Sequence, residues 1–368
     1  MSKVPTRCMV TGGSGFVGQR LCEMLVERGA QKVVSFDIAG KPHFASNDPR
    51  IQYMKGDITK LDDCVKACEG IDCVFHIAAI VGPFHPPPLY NKVNYEGTVN
   101  LIEACKRQGV TKFVCSGTPS TRMDGGDIAG KSEDQLPMPK PGNFVALYAE
   151  TKAKGELALR EATCDTLMSV IVAPHQVYGP RDALFLPNFM NAARTNRLRV
   201  FGKGENMIDL TFVDNYCHAL ILSTKVLFPK SPHLGKFYVV TDGEPQNSWK
   251  TIDSACVAMG YKSIYSRAKL PTWFLYSLAS LFEFIATVVS FLRIAPRYKV
   301  LTALKVNTFT VKMMTIHRYF DISAAKRDFG YEPLVKFKDG WKLTLEWFQE
   351  NWAPNHRTTE QIRSMGWN

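Results

Sequence analysis

The sequence predicts an α/β protein: a doubly wound parallel sheet with a smaller C-terminal lobe. Three observations carry the prediction. A glycine-rich turn joins a short apolar strand to a helix at the start of the chain. Apolar strands and helical stretches then alternate over the first 150 residues, the pattern of βαβ units. From about residue 175 the alternation weakens into short strands, loops and helices, as expected of a lobe grown by insertions.

The first element pair is RCMVTGGSGFVGQRLCEMLVERG. Phe16, Val17, Leu21, Met24 and Leu25 fall on one helix face. Gly12, Gly15 and Gly18 stand three apart ahead of and inside that helix. Such spacing serves a tight turn, a close backbone approach to a pyrophosphate and hard packing of helix on strand, with free N–H groups left for the phosphates. The next strand, KVVSFD, ends in Asp37, 19 residues after Gly18. A carboxylate there accepts from ribose hydroxyls and repels a 2′-phosphate, so NAD is expected over NADP.

Further strands follow. IQYMKGDIT places Asp57 after the third, CVFHIAA ends the fourth in Ala78 and Ala79, and KFVCSGTPS forms the fifth. In a parallel sheet of this kind ligands collect at the carboxyl ends of the strands. The stretch FHPPPLYN, 84–91, follows the fourth strand and reads as a rigid loop that either lines a substrate site or merely connects elements.

LYAETKAKGELALREA reads as a helix with Tyr148 and Lys152 at i and i+4, on one face. Tyrosine loses its proton near pH 10, and bringing that to about 7 requires ~4 kcal/mol of preference for the phenolate. A neighbouring ammonium and an oxidised nicotinamide can supply it, leaving Tyr148 to take a proton from an alcohol. A Tyr-x-x-x-Lys pair alone is common on helix surfaces; its position behind a dinucleotide-binding half gives this one weight.

TGGSGFVG, Asp37, the Gly-Asp pair at 56–57, HIAA, VNYEGT and YAETK, in this order, resemble the extended short-chain dehydrogenase/reductase superfamily. VAPHQVYGPRD, DLTFVDNYCHAL and RYFDISAAKRDFGYEP continue the likeness to about residue 350. The last two, with an apolar insert at 273–292, resemble the 3β-hydroxysteroid dehydrogenase family within it. The resemblance implies a Rossmann-type domain at 1–174 and an interleaved substrate lobe at 175–352, with an insert at 270–295 and a tail at 353–368. It implies that NAD lies against Gly12, Gly15, Phe16, Val17, Gly18, Asp37, Asp57, Ile58, Ala78, Ala79, Pro174 and Val177, with Tyr148 and Lys152 at its nicotinamide end. Tyr148 is the implied base, with Lys152 lowering its pKa. Thr118 is the implied hydroxyl beside the reacting oxygen, with Ser116 and Ser120 as alternatives and Gly117 departing from the family pattern. Asn94 either positions active-site backbone or is a polar residue at a helix start. The implied activity is NAD-dependent oxidation of a steroid or sterol 3β-hydroxyl, with sterol-4α-carboxylate 3-dehydrogenation as alternative, nucleotide-sugar epimerisation behind it and non-catalytic NAD binding last. Arg181 and Arg199 would be the diphosphate ligands of an epimerase. A homodimer through the helix after VNYEGT and the helix bearing Tyr148 is a further expectation.

Residues 273–292, WFLYSLASLFEFIATVVSFL, carry one charge, Glu283. The length suffices to cross a bilayer. A central charge opposes a crossing by ~2.5–3.5 kcal/mol. Cations flank both ends without asymmetry: Lys262, Arg267 and Lys269 before, Arg293, Arg297 and Lys299 after. The family motif at 318–333 belongs to the same folded unit as the earlier lobe, and a crossing would strand it. The expectation is a helix or bent helix pair dipping into one leaflet, held by its cations to anionic headgroups, on the cytosolic face of the endoplasmic reticulum, with a cytoplasmic location as the alternative. A true span and a buried or dimer-forming helix are the alternatives.

The chain of 368 residues is 45 % hydrophobic and 21 % charged, ordinary globular values, with a formal charge of +11. No nucleic-acid module signature accompanies that charge, so no nucleic-acid partner is expected. Ten scattered cysteines lack paired or His-flanked spacing, so neither metal nor disulfides are expected. The N-terminal stretch shows no secretory h-region and the C-terminal one no lipidation box.

Overall fold

A computed structural model describes residues 4–82, 85–304 and 306–355. Of the expectations above, Phe84 and the tail from 356 lie outside them. The strands in chain order are β1 (Arg7–Thr11), β2 (Lys32–Asp37), β3 (Ile51–Lys55), β4 (Cys73–His76), β5 (Lys112–Ser116), β6 (Ile128–Lys131) and β7 (Met168–Pro174). They continue as β8 (Val177–Tyr178), β9 (Met207–Ile208), β10 (Thr211–Phe212), β11 (Phe237–Val240), β12 (Gln246–Asn247) and β13 (Arg318–Phe320).

Seven of them form one sheet in the order β11-β7-β5-β4-β1-β2-β3, every neighbouring pair parallel. Alternate side chains feed two cores. Cys8, Val10, Val170 and Val172 pack on one face, Met9, Ile171 and Ala173 on the other. Burial on both faces explains why these strands read as continuous apolar runs. The order reverses between β1 and β4, so the crevice of the fold opens between their carboxyl ends.

A second sheet, β12-β9-β13-β6, forms the lobe. The two halves exchange strands across residue 174. β6, from the first half, pairs with β13, while β11, from the second half, completes the central sheet. The lobe is thereby fastened over the strand ends.

The apolar stretch is a single helix, Thr272–Phe291, followed by a shorter one, Arg297–Leu304, that packs back against it. It is the one helix among the described residues long and apolar enough to cross a membrane. Only Leu275, Ala279 and Ala286 of it are buried, so it does not fill the core of this fold. Nine of the ten cysteines are buried as free thiols.

Candidate active site

The glycine turn leaves no room for side chains. Gly12 has φ +68°, and a Cβ there would stand 2.9 Å from the Ala78 backbone. A Cβ on Gly18 would lie 2.0 Å from the Gly12 carbonyl, because the helix Phe16–Glu27 is pressed onto the turn. That helix has no side-chain cap and no acid in its first turn, so its leading N–H groups remain for an anion. Asp37 sits beside the turn, accepting from the amides of Ser14 (3.1 Å) and Ala39 (2.9 Å). Packed glycines, unfilled helix donors and a carboxylate at the end of β2 fit a dinucleotide.

Behind the turn runs a buried hydrogen-bonded chain. The Thr11 hydroxyl accepts from the amides of Ile77 and Ala78 (3.1 and 3.2 Å) and donates to His76 Nδ1 (2.8 Å). His76 Nε2 then donates to the Thr98 hydroxyl (3.0 Å), which donates to the Asn94 carbonyl (2.8 Å). Burial, with the charge of Lys152 second, holds His76 neutral down to about 3. Asn94 closes the chain by clamping Ile80, its Oδ1 accepting from the amide (2.9 Å) and its Nδ2 donating to the carbonyl (3.2 Å). Asn94 therefore positions the backbone after β4.

Tyr148 lies in the first turn of the helix Leu147–Ala162. Burial pushes its phenol up to about 12; a hydrogen bond with Thr118 opposes the rise, and the nearby Tyr90 adds to it. Lys152, buried on the same helix, donates to the Ser116 carbonyl over 2.8 Å. The ammonium is thus directed to the end of β5, and burial is the largest influence on the phenol. Among the three candidate hydroxyls, Thr118 is the one that eases the rise of the Tyr148 phenol. The Ser116 hydroxyl is taken by Tyr216 (2.7 Å), and Ser120 gives its amide to Thr118 Oγ1 (3.3 Å).

The remaining expected cofactor contacts divide. Ala78 covers Gly12. Ala79 follows it, half-buried, at the end of β4. Pro174 and Val177 are half-buried at and beyond the end of β7. Phe16 and Val17 pack at the rim of the core, and Ile58 is buried beneath Gly97. Asp57 turns its carboxylate to the Thr59 amide (2.9 Å). Arg181 is bound by Glu23 (2.7 and 2.8 Å), and Arg199 by the carbonyls of Asn196 and Leu198 (2.8 Å each), so neither is poised for a diphosphate.

On the apolar helix, Trp273, Leu281, Phe284 and Phe291 are exposed, Phe291 by 85 %. Glu283 is turned inward, its Oε1 accepting from the amide and hydroxyl of Thr308 at 2.8 Å each, with Arg297 3.9 Å from Oε2. The exposed face of this helix thus carries no acid.

Sequence reasoning gave no part to His76, Tyr90, His175, Tyr216 or Arg318. His76 was visible in CVFHIAA and His175 in VAPHQVYG, but single histidines in apolar runs give no signal until their partners are known.

The fold and the Tyr148–Thr118–Lys152 cluster define a Rossmann-type protein of the extended short-chain dehydrogenase/reductase class. The chain matches the 3-beta hydroxysteroid dehydrogenase/isomerase family over residues 9–271, and it belongs to that family of oxidoreductases. It is 32 % identical over 352 residues to the mouse (Mus musculus) sterol-4-alpha-carboxylate 3-dehydrogenase, decarboxylating, covering 93 % of this chain and 91 % of that one. It is 31 % identical over 340 residues to the 2-alkyl-3-oxoalkanoate reductase of Stenotrophomonas maltophilia (strain K279a), covering 91 % and 97 %. In fold it is similar to the epimerase Mth375 of Methanothermobacter thermautotrophicus, with a TM-score of 0.71 at 21 % identity over 98 % of this chain and 95 % of that one.

Proposed function

We propose that this protein oxidises the 3β-hydroxyl of a steroid or sterol, with NAD as the hydride acceptor. The observation that supports the reading is that Lys152 ties the helix carrying Tyr148 to the end of β5, two residues before Thr118, on the edge of the sheet where the glycine turn also lies. In the proposed reaction the Tyr148 oxygen takes the hydroxyl proton while the hydride leaves the same carbon. Thr118 holds the reacting oxygen. Asn94 and the His76 chain keep the backbone after β4 in place, and Lys152 brings a fixed positive charge to the end of β5. A phenol at about 12 must gain ~7 kcal/mol of preference for the phenolate to act as a base at neutral pH. An oxidised nicotinamide brings a positive charge of the right sign.

A second, finer reading concerns the substrate. Both relatives named above act on compounds that, by name, carry a carboxylate on the carbon beside the reacting one. A 4α-carboxysterol satisfies both the steroid reading and this feature.

The helix Thr272–Phe291 supports attachment to a membrane surface within the same proposal. Its exposed face is apolar and free of acids, and Arg293 and Lys299 are exposed just beyond it. Such a surface suits a substrate that partitions into bilayers. Exposed Val99 and Leu157, on adjacent helices, support a homodimer.

The test is NADH formation by detergent-solubilised protein on 3β-hydroxysteroids, 4α-carboxysterols and nucleotide sugars, with Tyr148→Phe as control. NADH from the sterols, lost in the variant, supports the reading. Activity confined to nucleotide sugars, or undiminished in Tyr148→Phe, overturns it.

A further inference from the structure

We propose that Arg318, seated on His175 beyond the carboxyl end of β7, is an anion subsite that takes the carboxylate of a β-hydroxy acid substrate. The proposal rests on the dehydrogenase reading and specifies the substrate class of the same site.

Register places the subsite. β5 and β7 are parallel with Ser116 opposite Val172, and the Gly117 amide donates to the Val172 carbonyl at 2.8 Å. Two residues further along, Thr118 comes level with Pro174, and His175 is the next residue. Adjacent strands lie only ~4.8 Å apart. Arg318 arrives from the lobe on β13, between Ile128 of β6 and Ile208 of β9.

The chemistry of the pair is unusual for an arginine inside a fold. His175 is buried; its Nδ1 donates to the Asp209 carbonyl (2.6 Å), which leaves the Nε2 lone pair to accept from the Arg318 guanidinium at 3.2 Å. A neutral imidazole thus orients the guanidinium without neutralising it. The Arg318 Nε is buried and has no hydrogen-bond partner among the described residues. The Asp209 carboxylate, just past β9, accepts through Oδ2 from the Phe320 amide at 2.8 Å, and its Oδ1 has no partner among the described residues. Burial alone lowers the Arg318 pKa, to about 10, with no acid offsetting it, so the group stays charged. A desolvated cation without a counter-ion is unfavourable, and the planar guanidinium fork matches a carboxylate with two parallel hydrogen bonds. The link to the reacting centre runs through His175, which holds the guanidinium and follows Pro174 directly at the end of β7, the strand beside the one that leads into Thr118.

Two matched pairs test this: a 4α-carboxysterol with its 4α-methyl counterpart, and a 2-alkyl-3-hydroxyalkanoate with its methyl ester. NAD-dependent oxidation of each is measured for the wild type, Arg318→Met and Arg318→Lys. The expected result is a loss of roughly 30-fold in kcat/KM for the acids in Arg318→Met, the size of a charged hydrogen bond. The neutral partners should stay within about twofold, and Arg318→Lys should recover part of the loss. Whichever acid the wild type prefers identifies the ring or open-chain source. Equal losses on acids and neutral partners, or no loss on either, overturn the subsite. If the wild type oxidises none of these compounds, the dehydrogenase reading fails by itself. Calorimetric binding then decides the subsite: the acid must bind more tightly than its neutral partner, and Arg318→Met must abolish that difference.

Discussion

The Lys152 ammonium donates to the carbonyl of Ser116 at 2.8 Å, which ties the helix bearing Tyr148 to the end of β5. Burial and the nearby Tyr90 push the Tyr148 phenol up to about 12 against the opposing Thr118 hydrogen bond. Difference titration of tyrosinate absorbance, wild type minus Tyr148→Phe, should show no step for this residue below about pH 11 in the cofactor-free protein. Lys152→Met should leave the result unchanged. A step at or below the ordinary value near 10 that vanishes in Lys152→Met would show that the lysine acts on the phenol directly.

Thr118 is the hydroxyl that lowers the Tyr148 phenol, while Ser116 is engaged by Tyr216. Thr118→Val should lower kcat by about 10- to 100-fold, the range for a hydrogen bond to a group developing charge. Thr118→Ser should retain most of the rate. Ser116→Ala should act through stability instead, because its hydroxyl faces a buried tyrosine.

The apolar helix presents Trp273, Phe284 and Phe291 to solvent while Glu283 is occupied by Thr308. Replacing those three aromatics by Gln should release the protein from anionic vesicles in a flotation assay and leave the thermal midpoint within a few degrees. Each removed side chain contributes ~1.5–3 kcal/mol when fully buried in an apolar phase. Undiminished flotation, or loss of a dimer in its place, would assign this face to another role.

Stability should respond to acid through the buried histidines. His76 and His175 are each held down to about 3, chiefly by burial. The unfolded chain binds those protons below about pH 6.5, so stability falls as pH drops from there towards the folded values. Asp209, raised to about 7, and Asp242, raised to about 6, act oppositely, and their contribution is lost as pH rises through that range. His76→Asn removes one acid-sensitive group. Its thermal midpoint should therefore fall less than that of the wild type between about pH 6.5 and about pH 4.5.

Local pattern made a large part of the fold legible. KVVSFD and LYAETKAKGELALREA have the bounds of β2 and of the helix Leu147–Ala162, because period and burial are written along the chain itself. The glycine turn was equally readable, since only glycine tolerates the contacts at Gly12 and Gly18. Thr118 came from the family resemblance and not from local pattern.

Everything that joins distant segments had to come from the tertiary structure. Thr11 and His76 are 65 residues apart, Lys152 and Ser116 36, and Arg318 and His175 143. The sequence by itself determined an α/β sheet, a dinucleotide turn and a helix carrying Tyr148 and Lys152, because strand and helix periods and glycine sterics act over a few residues. Only the packed chain decided where the Lys152 charge is directed, that Tyr216 engages Ser116, that Glu283 faces inward and that Arg318 has no counter-ion among the described residues. Desolvation and hydrogen-bond partnership are properties of three-dimensional neighbours, and no spacing along the chain encodes them.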